Sequence, residues 1–327
     1  MTKPVIGVVI AAVGDENDAV TLARQMVGDD DAVTCRAVIV VSGVMQERQQ
    51  RWVDQGLIEI EYVSTLLPAA AARNRGLEHL SGQEEYVFVI DDDNEIKMGS
   101  LFALAQYLVT HPDCVAVGPW QYDWSNRDQF VNAGVVHQRI GITRRLGKGA
   151  GGVVECDSVS NAFLVRKRQL DKVGGFDANV FPMDFEESDL QWRLAVRFAG
   201  YIATIEEAIV FHRFRGGLLA QLTPKSQGRA YTLGRNRGCY YGRRYGAAWG
   251  IVSSVLVQLP VSAATVSALV IEVSRGRCSL GRLFWYLRGV CAGVKCAVEQ
   301  GRLRRSVLAD GIGRGGRDEN WWMARWG

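Results

Sequence analysis

The sequence predicts an α/β fold with a mainly parallel central sheet and flanking helices, and three observations carry that expectation. Strand-like apolar runs at 5–10, 37–41, 58–63, 86–90 and 114–117 are mostly continuous rather than alternating, the pattern of strands buried on both faces. These runs alternate with helical stretches at 17–27, 46–55, 69–80 and 99–109. At 327 residues and 48% hydrophobic content, the chain supplies enough apolar side chain for a sizeable core.

Taken in order, Met1 to Pro4 run straight into VIGVVIAA, with no charged, apolar and small-residue leader ahead of it. The bulk of the chain is therefore expected in the cytoplasm. The seven cysteines form no CxxC pair and no regular framework, which reads as reduced thiols in a reducing compartment. The run at 86–90 stops in Asp91, Asp92 and Asp93. Three adjacent like charges repel unless solvent or a cation neutralises them, and in open α/β sheets ligands bind beyond the carboxyl ends of the strands. The position favours a binding site over a solvated turn.

The region 120–212 has weaker periodicity. It holds a glycine-rich loop, GKGAGG at 147–152, and an extended run at 159–165. KRQLDKV then reads as a short helix ended by Gly174-Gly175, and DFEESDLQWRLAVRF as an amphipathic helix ended by Gly200. There is no internal repeat, and the first domain is expected to span 1–230.

Residues 231–327 have a different character. From residue 210 onward there are 19 Lys+Arg against 5 Asp+Glu, a balance of +14, which leaves −11 for residues 1–209. A basic tail suits nucleic acid or an anionic membrane surface, and the neighbouring sequence favours the membrane. AAWGIVSSVLVQLPVSAATVSALVI, 247–271, carries no charge over 25 residues. Arginines crowd both of its flanks and Pro260 divides it, so an interfacial helix or a re-entrant hairpin fits better than a simple span. LGRLFWYLRGVCAGVKCAV, 280–298, has the spacing of a helix lying on an anionic surface, and Trp321, Trp322 and Trp326 offer interfacial anchors. The expected partner is a membrane surface at the cytoplasmic face, with no nucleic acid. A soluble helical tail is the other reading.

In an extended segment Asp91 and Asp93 project to one side and Asp92 to the other. Two carboxylates make half of a hard-cation site, and Mg2+ or Mn2+ held so sparsely completes its shell with water and substrate phosphates. A phosphate-bearing substrate is implied.

Four motifs in order then carry a resemblance: AAAARNRGLEHL, the strand ending in DDD, GGFD followed by FEESDLQWRL, and IVFHRF. Over roughly residues 4–245 the chain resembles the inverting family 2 glycosyltransferases of the GT-A fold, a Rossmann-like architecture. It is most similar to bacterial rhamnosyl- and galactofuranosyltransferase-like enzymes, which build cell-surface glycans; YTLGRNRGCYYGRRYG adds to that likeness.

The resemblance implies a metal-bound Asp93 with Asp91, Asp92 on the donor ribose or on metal-bound water, and His212 as a further metal ligand. A histidine hydrogen-bonded to backbone at a strand end is the plainer reading of His212. Arg73 matches an arginine that contacts the donor nucleotide; otherwise it is a solvated charge on helix 69–80. Glu187 matches the acid that deprotonates the acceptor hydroxyl, with Glu186 as a substitute and Asp189 orienting neighbours or acceptor. Asp184 as an N-cap with Glu187 at N3 is the structural alternative, and both can hold at once. Asp15 and Ser42 are base or ribose contacts by position, and Trp120 stacks on a sugar or fills core. RGGLLAQLTPKSQG after His212 has the glycines of a closing lid.

The expected activity is metal-dependent transfer of a hexosyl or deoxyhexosyl group from a UDP, TDP or GDP sugar to a glycan or a polyprenyl- or other lipid-linked acceptor. A sugar nucleotidyltransferase shares the sheet and acidic motif, but AAVGDEN offers no Lys or Arg for a triphosphate. A non-catalytic, transferase-like membrane assembly partner is the third possibility.

Overall fold

The computed structural model describes residues 3–28, 32–44, 50–213, 226–276 and 279–312. Strands β1 (Val5–Val13), β2 (Thr34–Ser42), β4 (Ile58–Val63) and β5 (Tyr86–Asp91) form a parallel block in the order β4-β2-β1-β5. This is the half of the sheet that the apolar runs predict. In β1, Ile6, Val8, Ile10 and Ala12 pack under helices α1 (Asn17–Gly28) and α3 (Ser100–Thr110), while Val9 faces α2 (Ala69–Glu78) on the opposite side. Such double-sided burial requires an apolar residue at nearly every position.

Beyond β5 the sheet turns mixed. The order continues through β12 (Ala162–Arg166), β7 (Cys114–Asp123), β13 (Tyr201–His212) and β11 (Val153–Cys156). β12 runs antiparallel to both of its neighbours, whereas β13 runs parallel to β7. Short strands β6 (Asn94–Ile96) and β8 (Phe130–Asn132) attach to β13 and β7, and β9 (Val135–His137) pairs with β10 (Thr143–Arg145) as a separate hairpin. Helices α4 (Lys167–Val173) and α5 (Glu186–Phe198) close the same face as α2. Gly174 ends α4 at φ 75° in the left-handed region, as the Gly-Gly pair predicts.

The helix expected at 46–55 does not form over its described part. Arg51–Val53 is strand β3, antiparallel to β4 at the sheet edge, and Asp54–Gly56 is a 3-10 turn. Edge pairing with β4 satisfies backbone groups that a short helix would leave open at its two ends. Residues 45–49 lie outside the described residues.

The carboxyl-terminal part is helical: α6 (Gln227–Tyr245), α7 (Ala247–Val252), α8 (Gln258–Ser274) and α9 (Leu280–Ile312). The uncharged stretch 247–271 is interrupted by a π-helical turn at Ser253–Val257. Among the described residues no helix is long and apolar enough to cross a membrane. α6 and α9 run side by side, and Cys239 is joined to Cys296 by a disulfide with Cα atoms 5.0 Å apart. All seven cysteines read from sequence as reduced, so this pair is a correction: the two lie 57 residues apart, and only helix packing brings them together. Trp321, Trp322 and Trp326 fall outside the described residues.

α6 starts before the expected boundary at 230 and is tied into the sheet domain. Arg243 donates to Asp189 on α5 and to Asp177, each at 2.8 Å, and to Gln300 on α9 at 2.8 Å. Arg244 donates to Asp157 at 2.5 Å and to the Tyr240 hydroxyl at 2.9 Å.

Candidate active site

β1 and β2 end level with one another, and β5 ends two residues earlier. Register pairs Ala11 with Asp91 and Val13 with Ser42, so the three carboxyl ends form the floor of one cleft. The cleft encloses about 930 Å³ and is walled by Leu66 to Ala69, Arg73, the β9–β10 hairpin, Asn161, the start of α5 and the start of α6. Of the residues singled out in the sequence, Ser42, Arg73, Asp91, Asp92, Asp93, Glu186 and Glu187 line it. Ser42 is 1% exposed and its hydroxyl has no hydrogen-bond partner among the described residues.

Arg73 sits at the centre, 3% exposed. Its Nη2 lies 2.5 Å from Asp91 Oδ1 and 3.1 Å from Glu187 Oε1, and its Nη1 lies 2.9 Å from Glu186 Oε1. The solvated-charge reading of Arg73 therefore falls. Burial pulls its pKa down, but the three carboxylates, Asp91 first, outweigh that and hold it above its ordinary value. One guanidinium thus gathers three acids that would otherwise repel one another.

Glu187 has two partners here: Arg73, and the backbone N–H of Asn161, which reaches both carboxylate oxygens at 3.2 Å. Burial dominates its titration and, with Asp91 and Glu186 nearby, pushes its pKa up to about 8 against the pull of Arg73. Burial also raises Glu186. A carboxyl tuned in this way can take a proton from a hydroxyl near neutral pH.

The acids stand on an unusual helix start. Asp184 and Phe185 both have left-handed backbone, at φ 61° and 71°, and Phe185 rather than Asp184 is the N-cap of α5, with no side-chain cap bond. The capping reading of Asp184 and Glu187 is thereby corrected. Consecutive left-handed non-glycine residues cost roughly 1–2 kcal/mol each and persist only where neighbours hold them.

The extended geometry assumed for the aspartates ends at Asp91. Asp92 and Asp93 form a turn before β6, pinned by Asn94, whose Nδ2 donates to the Asp91 carbonyl at 3.1 Å and to Asp93 Oδ1 at 3.4 Å. Asp91 consequently turns to Arg73 while Asp93 faces His212, with Nε2 and Oδ1 3.4 Å apart. The pairing of His212 with Asn94 across β13 and β6 creates that approach. Among the described residues no three His, Cys, Asp or Glu side chains gather closely enough to hold a metal ion by themselves. A carboxylate beside an imidazole does fit a borderline cation such as Mn2+ whose remaining ligands come from water and phosphate.

Of the other singled-out residues, His212 meets the cleft lining through Asp93, and three lie elsewhere. Asp189 is wholly buried between Arg193 and Arg243, 2.8 Å from each, which commits one oxygen to a pair within α5 and the other to holding α5 against α6. Trp120 is 4% exposed, edge-on to Phe130 at 5.6 Å, and fills core. Asp15 is exposed and accepts from the Asn17 N–H at 3.0 Å, capping the turn before α1. The segment read as a lid lies mostly at 214–225, outside the described residues.

The cleft also holds residues that carry no signal in the sequence. His137 is 3% exposed, with Nδ1 3.0 Å from the Thr143 hydroxyl and Nε2 3.1 Å from that of Ser188, beside Glu187. Burial, then Arg244 and Arg237, hold it well below its ordinary pKa, so it is neutral. Asn161, left-handed at φ 68°, aims its N–H at Glu187. Both lie in unremarkable strand-edge sequence.

A family model described as glycosyltransferase like family 2 matches residues 37–214. Among solved structures, the chain is similar to a crystal structure of GalNAc-T7 with UDP, GalNAc and Mn2+, with a TM-score of 0.55 and 11% identity. That match covers 65% of this chain and 44% of the other, so this chain spans less than half the length of its neighbour and the likeness is one of fold. No curated protein matches. With more than half of its length matched by the family model, the chain belongs to the glycosyltransferase like family 2.

Proposed function

We propose that the protein is a metal-dependent inverting glycosyltransferase that moves a hexosyl or deoxyhexosyl group from a nucleotide diphosphate sugar to a glycan or lipid-linked acceptor. The observation that carries this reading is the meeting, in one cleft at the strand ends, of the aspartate turn with Arg73 and the Glu186–Glu187 pair. The UDP and Mn2+ of the structural neighbour are consistent with it. So is the level end of β1 and β2, where Val13 and Ser42 offer an apolar edge and an unsatisfied buried hydroxyl to a nucleoside.

In this mechanism Glu187 takes the proton from the acceptor hydroxyl as that oxygen attacks the anomeric carbon, and a single displacement inverts the centre. Arg73 holds Glu187 and Asp91 in place, while neutral His137 and the Asn161 N–H fix the wall beside the base. Asp93 and His212 would hold the cation, which supplies positive charge for the departing diphosphate when bound. The RNR segment of α6 keeps the rhamnosyl- or galactofuranosyltransferase-like subtype as the preferred donor class.

Isothermal titration with Mn2+ and UDP, TDP or GDP tests the reading. Binding of one of these nucleotides that depends on metal and is lost in Asp93→Ala is the expected result. No binding to any of the three removes the enzyme reading and leaves a non-catalytic assembly partner.

For location, we propose that the protein attaches to the cytoplasmic face of the membrane through its helical tail. Phe284 on α9 and Leu256 in the π turn are 61% and 65% exposed, and Arg282 and Arg288 flank the former. Apolar side chains among arginines suit an anionic bilayer surface.

A further inference from the structure

We infer that Asn236 on α6 is a positioning residue for the catalytic glutamates, an inference that rests on the glycosyltransferase reading of the cleft. Asn236 is wholly buried, and its Nδ2 donates to two consecutive backbone carbonyls, Met183 at 2.7 Å and Asp184 at 3.1 Å. Those carbonyls belong to the turn whose next residues, Asp184 and Phe185, adopt the strained left-handed backbone. The orientation of the amide is set from behind: Arg235 Nη1 donates to Asn236 Oδ1 at 3.0 Å and to the Val180 carbonyl at 2.7 Å, which leaves the amide nitrogen facing the turn.

One turn further along α6, the Tyr240 ring stacks on Phe185 with centroids 5.0 Å apart. Asn236 and Tyr240 are four residues apart and share a helix face. Together they hold the turn by its carbonyls and by its ring. Phe185 in turn accepts the first helical hydrogen bond of α5 from the Asp189 N–H at 2.8 Å. The direction in which Glu186 and Glu187 leave the helix, and hence their reach to Arg73 and Asn161, depends on this turn keeping a conformation it would not choose alone.

The role differs from ordinary packing because what Asn236 stabilises is a conformation that glycine adopts without strain. In Asn236→Ala we expect kcat to fall by about 10- to 100-fold, the scale of a small misplacement of a reacting group, with donor KM within about twofold of wild type. Amide hydrogen exchange at Asp189 should rise, while exchange at 193–198 in the same helix should not. Adding Asp184→Gly to Asn236→Ala should restore the Asp189 protection and part of kcat, since glycine accepts the left-handed turn unaided. Wild-type kcat and wild-type exchange in Asn236→Ala would overturn the inference, and so would a double variant that recovers neither. A wild-type protein that transfers no sugar from any donor would overturn the transferase reading instead, and the exchange measurement would still decide the part played by Asn236.

Discussion

Glu187 combines a buried carboxyl, an arginine 3.1 Å away and a backbone N–H donor, and its pKa of about 8 is the net of these. In its proposed role Glu187 must be ionised to accept the hydroxyl proton, so kcat/KM of the metal-loaded enzyme should climb with pH through a limb below about 8, because a bound cation adds positive charge nearby. Glu187→Gln should bind donor normally and lose transfer by at least about 100-fold, whereas Glu186→Gln should retain more activity. Full activity in Glu187→Gln would move the base assignment to Glu186. The same shift has a consequence for stability. The folded chain holds this proton more tightly than the unfolded chain, so the stability it contributes is complete below the ordinary carboxyl value of 4.5 and is lost as pH rises through about 8. At this scale the sequence was partly legible. FEESDL marks a carboxylate pair at a helix start, but it does not say that Asp189 turns inward to Arg193 and Arg243, nor that His137 comes to stand against Ser188 and Asn161 against Glu187.

Among the elements, α6 and α9 meet along a stripe of small residues. Gly234, Gly238 and Gly242 lie four apart on α6, opposite Tyr286 to Val290, Gly293 and Ala297. A Cβ on Gly238 would come within 2.4 Å of the Gly293 carbonyl oxygen, so the two backbones are in direct contact. Gly238→Leu should push the helices apart and lower stability by roughly 1–3 kcal/mol or more, the usual scale of overpacking. Urea unfolding checks this, run with and without reductant because the Cys239–Cys296 disulfide holds the pair together covalently. An unchanged midpoint under reducing conditions would refute the close-contact reading. Helix propensity hides this element, because glycines every fourth residue argue against a helix when read locally. Tertiary contact reverses that argument by requiring that those positions carry no side chain.

At the scale of the whole molecule, the helical tail is bound into the sheet domain rather than appended to it. Arg243 alone links α5, the Asp177 loop and α9. Truncation before α7 would therefore remove a packing partner of α5 and α6 as well as any membrane contact, and surface substitution gives the cleaner test of attachment. Phe284→Glu with Leu256→Glu should lower co-sedimentation with anionic vesicles by at least about tenfold, since two exposed apolar side chains that pass from water into the bilayer contribute on the order of 3 kcal/mol or more, and should leave Cys239–Cys296 formed. Equal sedimentation of variant and wild type would place the attachment elsewhere.

By itself the sequence determined the parallel strand block, the acidic strand end, the order of the motifs and the amphipathic helix that carries Glu187. These are local patterns, in which burial on both faces or on one stripe leaves a readable period. Only the tertiary structure decided that Asp91 faces Arg73 while Asp93 faces His212, that Trp120 is core, and that two of the cysteines are joined. It also decided that Arg73 reaches Glu186 across 113 positions of sequence. Contacts at such separations are set by how helices dock on the sheet, and no local pattern encodes them. The aspartate run marked one edge of the cleft; the long-range packing of α2, α5 and α6 determined which side chains arrive beside it.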